Sequence, residues 1–177
     1  MEIYSAQVID FAIDKVYPLV RDNLNDLVPY LQNVKRIETE AKEDLGEGRI
    51  RLINRWHGKG EIPKVVQSIV KPEMITWLDT AVWNDEDKSC HWEIQTMFFK
   101  DNIRCKGINY YKPQGQDRTK LEITGDLTIH LKGIPGVPRL LEKKISSQVE
   151  KFIVKLLTPN MSSLAQGVNQ YLSKIKG

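Results

Sequence analysis

Three side chains disagree chemically with the positions they occupy. Asn54 falls in phase with Ile50, Leu52 and Trp56, and Thr96 falls in phase with Cys90, Trp92, Ile94 and Phe98. Asn109 shares a phase with Tyr111 if Arg104 and Lys106 face water. A polar group on an apolar face costs about 1–3 kcal/mol when it finds no partner. Each of the three must therefore bond within the sheet, hold water or meet the polar end of a ligand, and Tyr111 adds a hydroxyl to the same set. Groups of this kind orient a small molecule. Acid–base machinery is not evident beside them: His57, His91 and His130 take the outward phase of three different strands, and no inward His, Asp or Glu is recognisable. There is no HExxH, GxSxG, P-loop or GxGxxG spacing. The run Asp85-Glu86-Asp87 lacks the spaced ligands and glycine of a calcium loop. No catalytic residue, metal site or cofactor is expected.

The elements that must position these groups follow from periodicity. Residues 2–10 alternate, with Tyr4, Ala6 and Val8 on one side, and read as a strand. The stretch FAIDKVYPLVRDNLNDLVPYLQNV changes to helical spacing. It divides into two short helices, with Asp14 as the first N-cap and Asn25 or Asp26 as the second. From Lys35 the period returns to two. Six strands then follow, broken by turns at GEG (46–48), NDEDK (84–88), KDN (100–102) and PQGQD (113–117) and by a Pro63 segment that could open a short helix. In the strand at residues 74–83 both faces carry large apolar groups, so its buried side is left open. The last strand alternates strictly, Leu121, Ile123, Gly125, Leu127 and Ile129 on one side, as a strand with one wet face does. Gly125 interrupts this inward run and should admit a bulge or the close approach of a covering helix.

After KGIPGVP the apolar stripe Leu141, Ile145, Val149, Phe152 and Leu156 predicts a helix, with a break or kink at Pro159 before a second stripe. A helix of about 20 residues spans about 30 Å. That is enough to cover the concave side of an antiparallel meander of about seven strands. The fold class is α+β, in the order β-α-α-β6-α, as a single domain over residues 1–177. A curved sheet wrapped round one helix tends to leave a space between them.

Composition narrows the function classes. Hydrophobic residues make up 41% and charged residues 28% of the 177, which suits a globular chain with its own core. A net charge of +3 with bases and acids intermixed argues against a nucleic-acid partner. The N-terminus lacks the basic start and apolar block of a signal peptide. With the turn centred near residue 101, Cys105 lies opposite about Met97 and Cys90 opposite about Tyr111. The thiols are then roughly 23 Å apart at about 3.3 Å per residue. Free thiols and a cytoplasmic location are expected.

The opening strand, the helix pair in FAIDKVYPLVRDNLNDLVPYL, the meander and the final helix resemble the START-like (SRPBCC, birch-pollen-allergen-like, helix-grip) superfamily over nearly the whole chain. Ile62-Pro63-Lys64-Val65-Val66 followed by Trp77 looks like its bacterial branch. The resemblance implies a helix-grip fold with a hydrophobic-ligand space beneath the last helix. Members of the superfamily bind lipids, sterols, quinones or polyketides there, some act as aromatase/cyclases and others are co-chaperone modules. Fold does not fix function.

The expected function is non-enzymatic binding or transport of a hydrophobic small molecule such as a lipid or quinone. Its expected contacts are Asn54, Trp56, Trp92, Thr96, Phe98, Asn109, Tyr111, Leu127, Val149 and Phe152. Val65, Val66, Ile134 and Val137 should flank the entrance and could touch a membrane surface transiently. The alternatives are a polyketide cyclase or aromatase-like enzyme, or an interaction module with a filled core.

Overall fold

Strict alternation along six successive segments builds a meander, and the first strand closes its far edge. The structure is a computed structural model. It describes residues 1–64, 67, 70–130 and 139–176, except the side chains of 139–142, 159, 160 and 162. The strands are β1 (Glu2–Ile9), β2 (Val34–Gly46), β3 (Arg49–Gly58), β4 (Thr76–Asn84), β5 (Ser89–Thr96), β6 (Ile103–Pro113) and β7 (Thr119–Ile129). They form one sheet in the order β1-β7-β6-β5-β4-β3-β2, and each neighbouring pair is antiparallel. Helix α1 (Ile13–Asp22) and a 3-10 segment, Leu24–Tyr30, follow β1, and helix α2 (Arg139–Lys176) ends the chain. With α2 packed across the sheet this is the helix-grip fold.

Two local expectations change. The N-cap of α1 is Ala12, which makes no side-chain cap bond, and Asp14 sits inside the first turn. A carboxylate there favours the positive end of the helix dipole without capping it. Asn25 and Asp26 lie inside the 3-10 segment, whose cap is Asn23.

Helix α2 has 38 residues in one continuous run, about 57 Å at 1.5 Å per residue, and does not break at Pro159. A proline at 159 has no N–H for the carbonyl four residues earlier, that of Lys155. The side chain of Asn33, in the turn before β2, supplies the missing donor: its Nδ2 reaches Lys155 O at 3.2 Å. The freed acceptor is satisfied from outside the helix, which removes one reason for the helix to end there. The Asn33 backbone has φ 55°, a left-handed conformation that asparagine tolerates better than most residues. Ile145, Val149, Phe152, Ile153, Leu156 and Leu157 bury the inner stripe of α2 against the sheet.

The inner face of the sheet is ordered by cross-strand rows. In one, Ala81 pairs with Trp92, Trp92 with Gly107, and Gly107 with Gly125. Small residues beside Trp92 leave room for its indole. A Cβ at Gly107 would lie 2.2 Å from Thr124 O and 2.3 Å from Trp92 Cζ2, and one at Gly125 would lie 2.8 Å from Lys106 O and 2.9 Å from Trp92 Cη2. Gly125 thus admits neither a bulge nor a helix. The β6–β7 register runs unbroken through it, and the group it accommodates is an indole from β5.

The β5–β6 register also differs from expectation, because residues 97–102 all belong to the connection. Cys105 pairs with Ile94 and Cys90 with Asn109. Four residues along the strand still separate the thiols by about 13 Å, beyond disulfide reach. Both are buried and free.

Gly107→Ala is expected to destabilise the protein by about 1–3 kcal/mol through overpacking, and by more than Gly125→Ala, as read by urea denaturation. Equal stability of Gly107→Ala and wild type would show that Trp92 does not lie across this glycine row.

Candidate functional site

Below the middle of α2, the grip between helix and sheet opens into a cavity of about 100 Å3. Leu157, Met161 and Leu164 of α2 form its roof. Val20 and Arg21 of α1, with Leu24 and Leu31, close one end. The floor belongs to β3, β4, β5 and β6, with Ile123 of β7, in rows fixed by register. Trp56 lies opposite Trp77, Asn54 opposite Asp79, and Asp79 opposite Ile94. Farther along, Trp83 lies opposite Cys90 and Cys90 opposite Asn109. Four indoles therefore line the space, with Asp79 among them.

Asp79 is the group that sequence reasoning missed. It shares a phase with Trp77, Ala81 and Trp83, and these line the cavity with it. Leu78 and Val82 on the opposite phase had made the two faces look alike. The available signal was bulk: both tryptophans of that strand fall on one phase, and Asp79 falls on it with them. Asp79 lines the cavity, and burial pushes its carboxyl up to about 7 against the opposing effect of a hydrogen bond from the Trp56 indole. No described residue forms an ion pair with it.

Arg21, the cation at the same cavity, is engaged elsewhere. It bonds to Asp85 and holds Asp22 at 2.8 Å. Lys42 adds a second contact to Asp22 at 3.1 Å. The guanidinium is therefore neutralised by two carboxylates at the cavity rim.

Hydrogen bonds fix which polar atoms remain free. Trp92 Nε1 donates to Asn109 Oδ1 at 2.8 Å. An indole can only donate, so the Asn109 oxygen must be the atom that faces Trp92. Thr39 Oγ1 donates to Asn54 Oδ1 at 2.8 Å. The N–H of Trp83 is buried without an acceptor, and that of Trp56 has the Asp79 carboxyl near it. Trp83 is only 4% exposed, so its orphaned donor is a costly feature rather than a surface detail.

The expected site residues divide between cavity and core. Asn54, Trp56, Trp92 and Asn109 line the cavity. Thr96 satisfies its hydroxyl on Phe98 O at 2.8 Å, and Phe98 packs against Phe152 with ring centroids 6.3 Å apart. Tyr111 is buried against Trp83 and Tyr17. Leu127 and Val149 are buried in the core away from the cavity. Val65, Val66, Ile134 and Val137 lie outside the described residues. His57 faces outward and bonds Glu38 at 2.8 Å, which holds the Glu38 carboxyl below its usual range. Among the described residues no cluster of His, Cys, Asp or Glu is arranged to hold a metal ion, and no helix is long and apolar enough to cross a membrane.

No family model matches the chain, and no curated protein matches it by sequence. Solved structures do. The Zhui aromatase/cyclase from Streptomyces sp. R1128 aligns with a TM-score of 0.68 at 13% identity, over 100% of this chain and 98% of that one. A norcoclaurine synthase point mutant from Thalictrum flavum, in complex with a transition-state analogue, aligns at 0.60 and 15% identity, over 100% and 96%. The protein XoxI from Bacillus cereus aligns at 0.54 and 10%, over 99% and 98%. The shared feature is the helix-grip fold.

Asp79 gives stability a pH dependence of definite sign. A carboxyl whose folded-state pKa is raised binds more protons folded than unfolded, so its ionisation opposes folding. The penalty is absent below the ordinary aspartate range, grows as pH rises from about 4 to about 7 and then levels off. Asp79→Asn is therefore expected to be more stable than wild type by a few kcal/mol near pH 8, with the gain vanishing near pH 4. Urea denaturation across that range checks it. A variant less stable than wild type at about pH 8 would place a cation beside Asp79.

Proposed function

We propose that this protein binds a compact, largely apolar molecule between the sheet and α2, as a START-like binder or carrier of the bacterial branch. The observation that carries the reading is an apolar cavity lined by four indoles and the Asp79 carboxyl. Apolar walls supply affinity, and a few fixed polar groups supply orientation. Asn54, Trp56, Trp92 and Asn109, with Asp79, are the contacts we assign. Two free thiols fit a reducing compartment such as the cytoplasm.

Size limits the ligand. Drug-sized sites run about 300–1,000 Å3, and an apolar cavity of about 150 Å3 admits benzene. At about 100 Å3 the space takes a molecule of a few heavy atoms, so a whole lipid or quinone requires α2 to lift. This favours a compact ligand over the larger cargoes typical of the superfamily. A protein-interaction module with a filled core fits less well, because the core is not filled.

A second reading, an enzyme acting by proton transfer, is favoured by Asp79. A carboxyl that titrates near neutrality can act as a general base or acid at working pH. Two of the solved structures of this fold are, by name, an aromatase/cyclase and a synthase. Binding is common to both readings.

Isobutanol, small enough for the cavity, is expected to raise the melting temperature in a saturable manner, since a ligand of the native state stabilises it by mass action. Ala81→Leu, which fills the floor beside Trp92, is expected to abolish that shift while folding. A wild-type protein that neither responds to isobutanol nor carries a small molecule in native mass spectrometry would overturn the reading.

A further inference from the structure

The cavity contains a carboxyl without a counter-charge among the described residues, and a wall of four indoles. On the proposed binding function rests a sharper inference. We propose that the ligand is a small organic cation, a short-chain alkylammonium, whose charged head sits against Asp79 and whose body lies among Trp56, Trp77, Trp83 and Trp92.

Three observations converge on this class. First, Asp79 lines the cavity and no cation among the described residues pairs with it. Arg21 is the cation at the cavity, and Asp22 and Asp85 already occupy it. An ionised carboxyl in such a place is stable only if something positive joins it. Second, indole faces attract cations, most strongly where water is excluded, and indoles supply a large share of this wall. Third, the space is too small for a long ligand but large enough for an ammonium head with a short apolar body.

The surroundings of Asp79 leave its charge to the ligand. Asn54 and Trp56 of β3 are neutral, and so are Ile94 of β5 and Leu157, Met161 and Leu164 of α2. The Cys90 and Cys105 thiols of β5 and β6 are held in their neutral forms by burial, which raises both. The Tyr111 phenol of β6 is raised by burial in the same way. Arg21 of α1 is paired with Asp22 and Asp85. Binding of an ammonium ion therefore favours release of the Asp79 proton, and affinity should follow the ionised fraction of that carboxyl.

The indole donor without an acceptor, Trp83 Nε1, supplies a competing preference. It would donate to an anionic or carbonyl oxygen, so the test must separate charge sign from size. Isobutylamine, isobutanol and isobutyrate share one branched body and differ in their heads. Titration calorimetry and tryptophan fluorescence with each, on wild type and Asp79→Asn, at about pH 6 and about pH 8, read the preference directly.

The expected result is amine binding at least about tenfold tighter than alcohol near pH 8, rising about tenfold from pH 6 to pH 8. Asp79→Asn should lose both the preference and the pH dependence while still binding isobutanol. Equal binding of amine and alcohol, or tightest binding of isobutyrate, would overturn the cation proposal and leave the small-molecule reading standing. Binding of none of the three to wild type would overturn both. A preference for amine that persists in Asp79→Asn would place the cation elsewhere and overturn the assignment to Asp79.

Discussion

A carboxyl set among indoles, with no cation among the described residues to answer it, is the constraint around which the site is arranged. Ionised, Asp79 is disfavoured by burial and is supported by the Trp56 indole. The surrounding core is conventional by comparison: closely packed aliphatic and aromatic side chains whose burial drives folding. A protein of ordinary marginal stability carries so unfavourable a group only where packing elsewhere compensates. The seven-stranded sheet and the long covering helix provide that compensation, and the cavity beside Asp79 keeps the strain local.

The two faces of the sheet handle charge in opposite ways. On the outward side of β2 and β3, acids and bases alternate across the strand pair, with Arg51 on Glu43 at 2.6 Å, His57 on Glu38 at 2.8 Å and Arg55 on Glu40. These exposed pairs contribute little stability individually. Their larger effect is at the edge, where β2 ends the sheet. A charged, bulged edge strand resists pairing with another chain, and the β2 register shifts at three places. Inside, the same strand pair presents Asn54 and Trp56 to the cavity, where one uncompensated charge dominates.

Much of this architecture could be read from the chain alone because alternation is a physical requirement of a half-buried sheet. The meander, the covering helix and the inward phases of Asn54, Trp56, Trp92 and Asn109 all follow from it. What escaped did so for identifiable reasons. On β4 the outward phase carries Leu78 and Val82, so hydrophobicity could not choose a face and Asp79 stayed hidden. On β5 and β6 the connecting residues 97–102 had to be counted before the register could be set. The roles of Thr96 and Tyr111 depended on neighbours distant in sequence: Thr96 bonds Phe98 O, while Tyr111 packs on Trp83 and Tyr17. The continuity of α2 through Pro159 depends in the same way on a distant group, since the donor to Lys155 O is more than a hundred residues away.

That distant group ties two regions mechanically. Lys155 O belongs to the turn of α2 that carries Leu157 over the cavity, and its external donor is held by the chain entering β2. The rigidity of the lintel above the cavity is thus on loan from a side chain of another element. Any displacement of the chain at Asn33 strips that acceptor and leaves a weakened joint in the beam beside the cavity, so the β1–β2 connection acts as a lever on the space below.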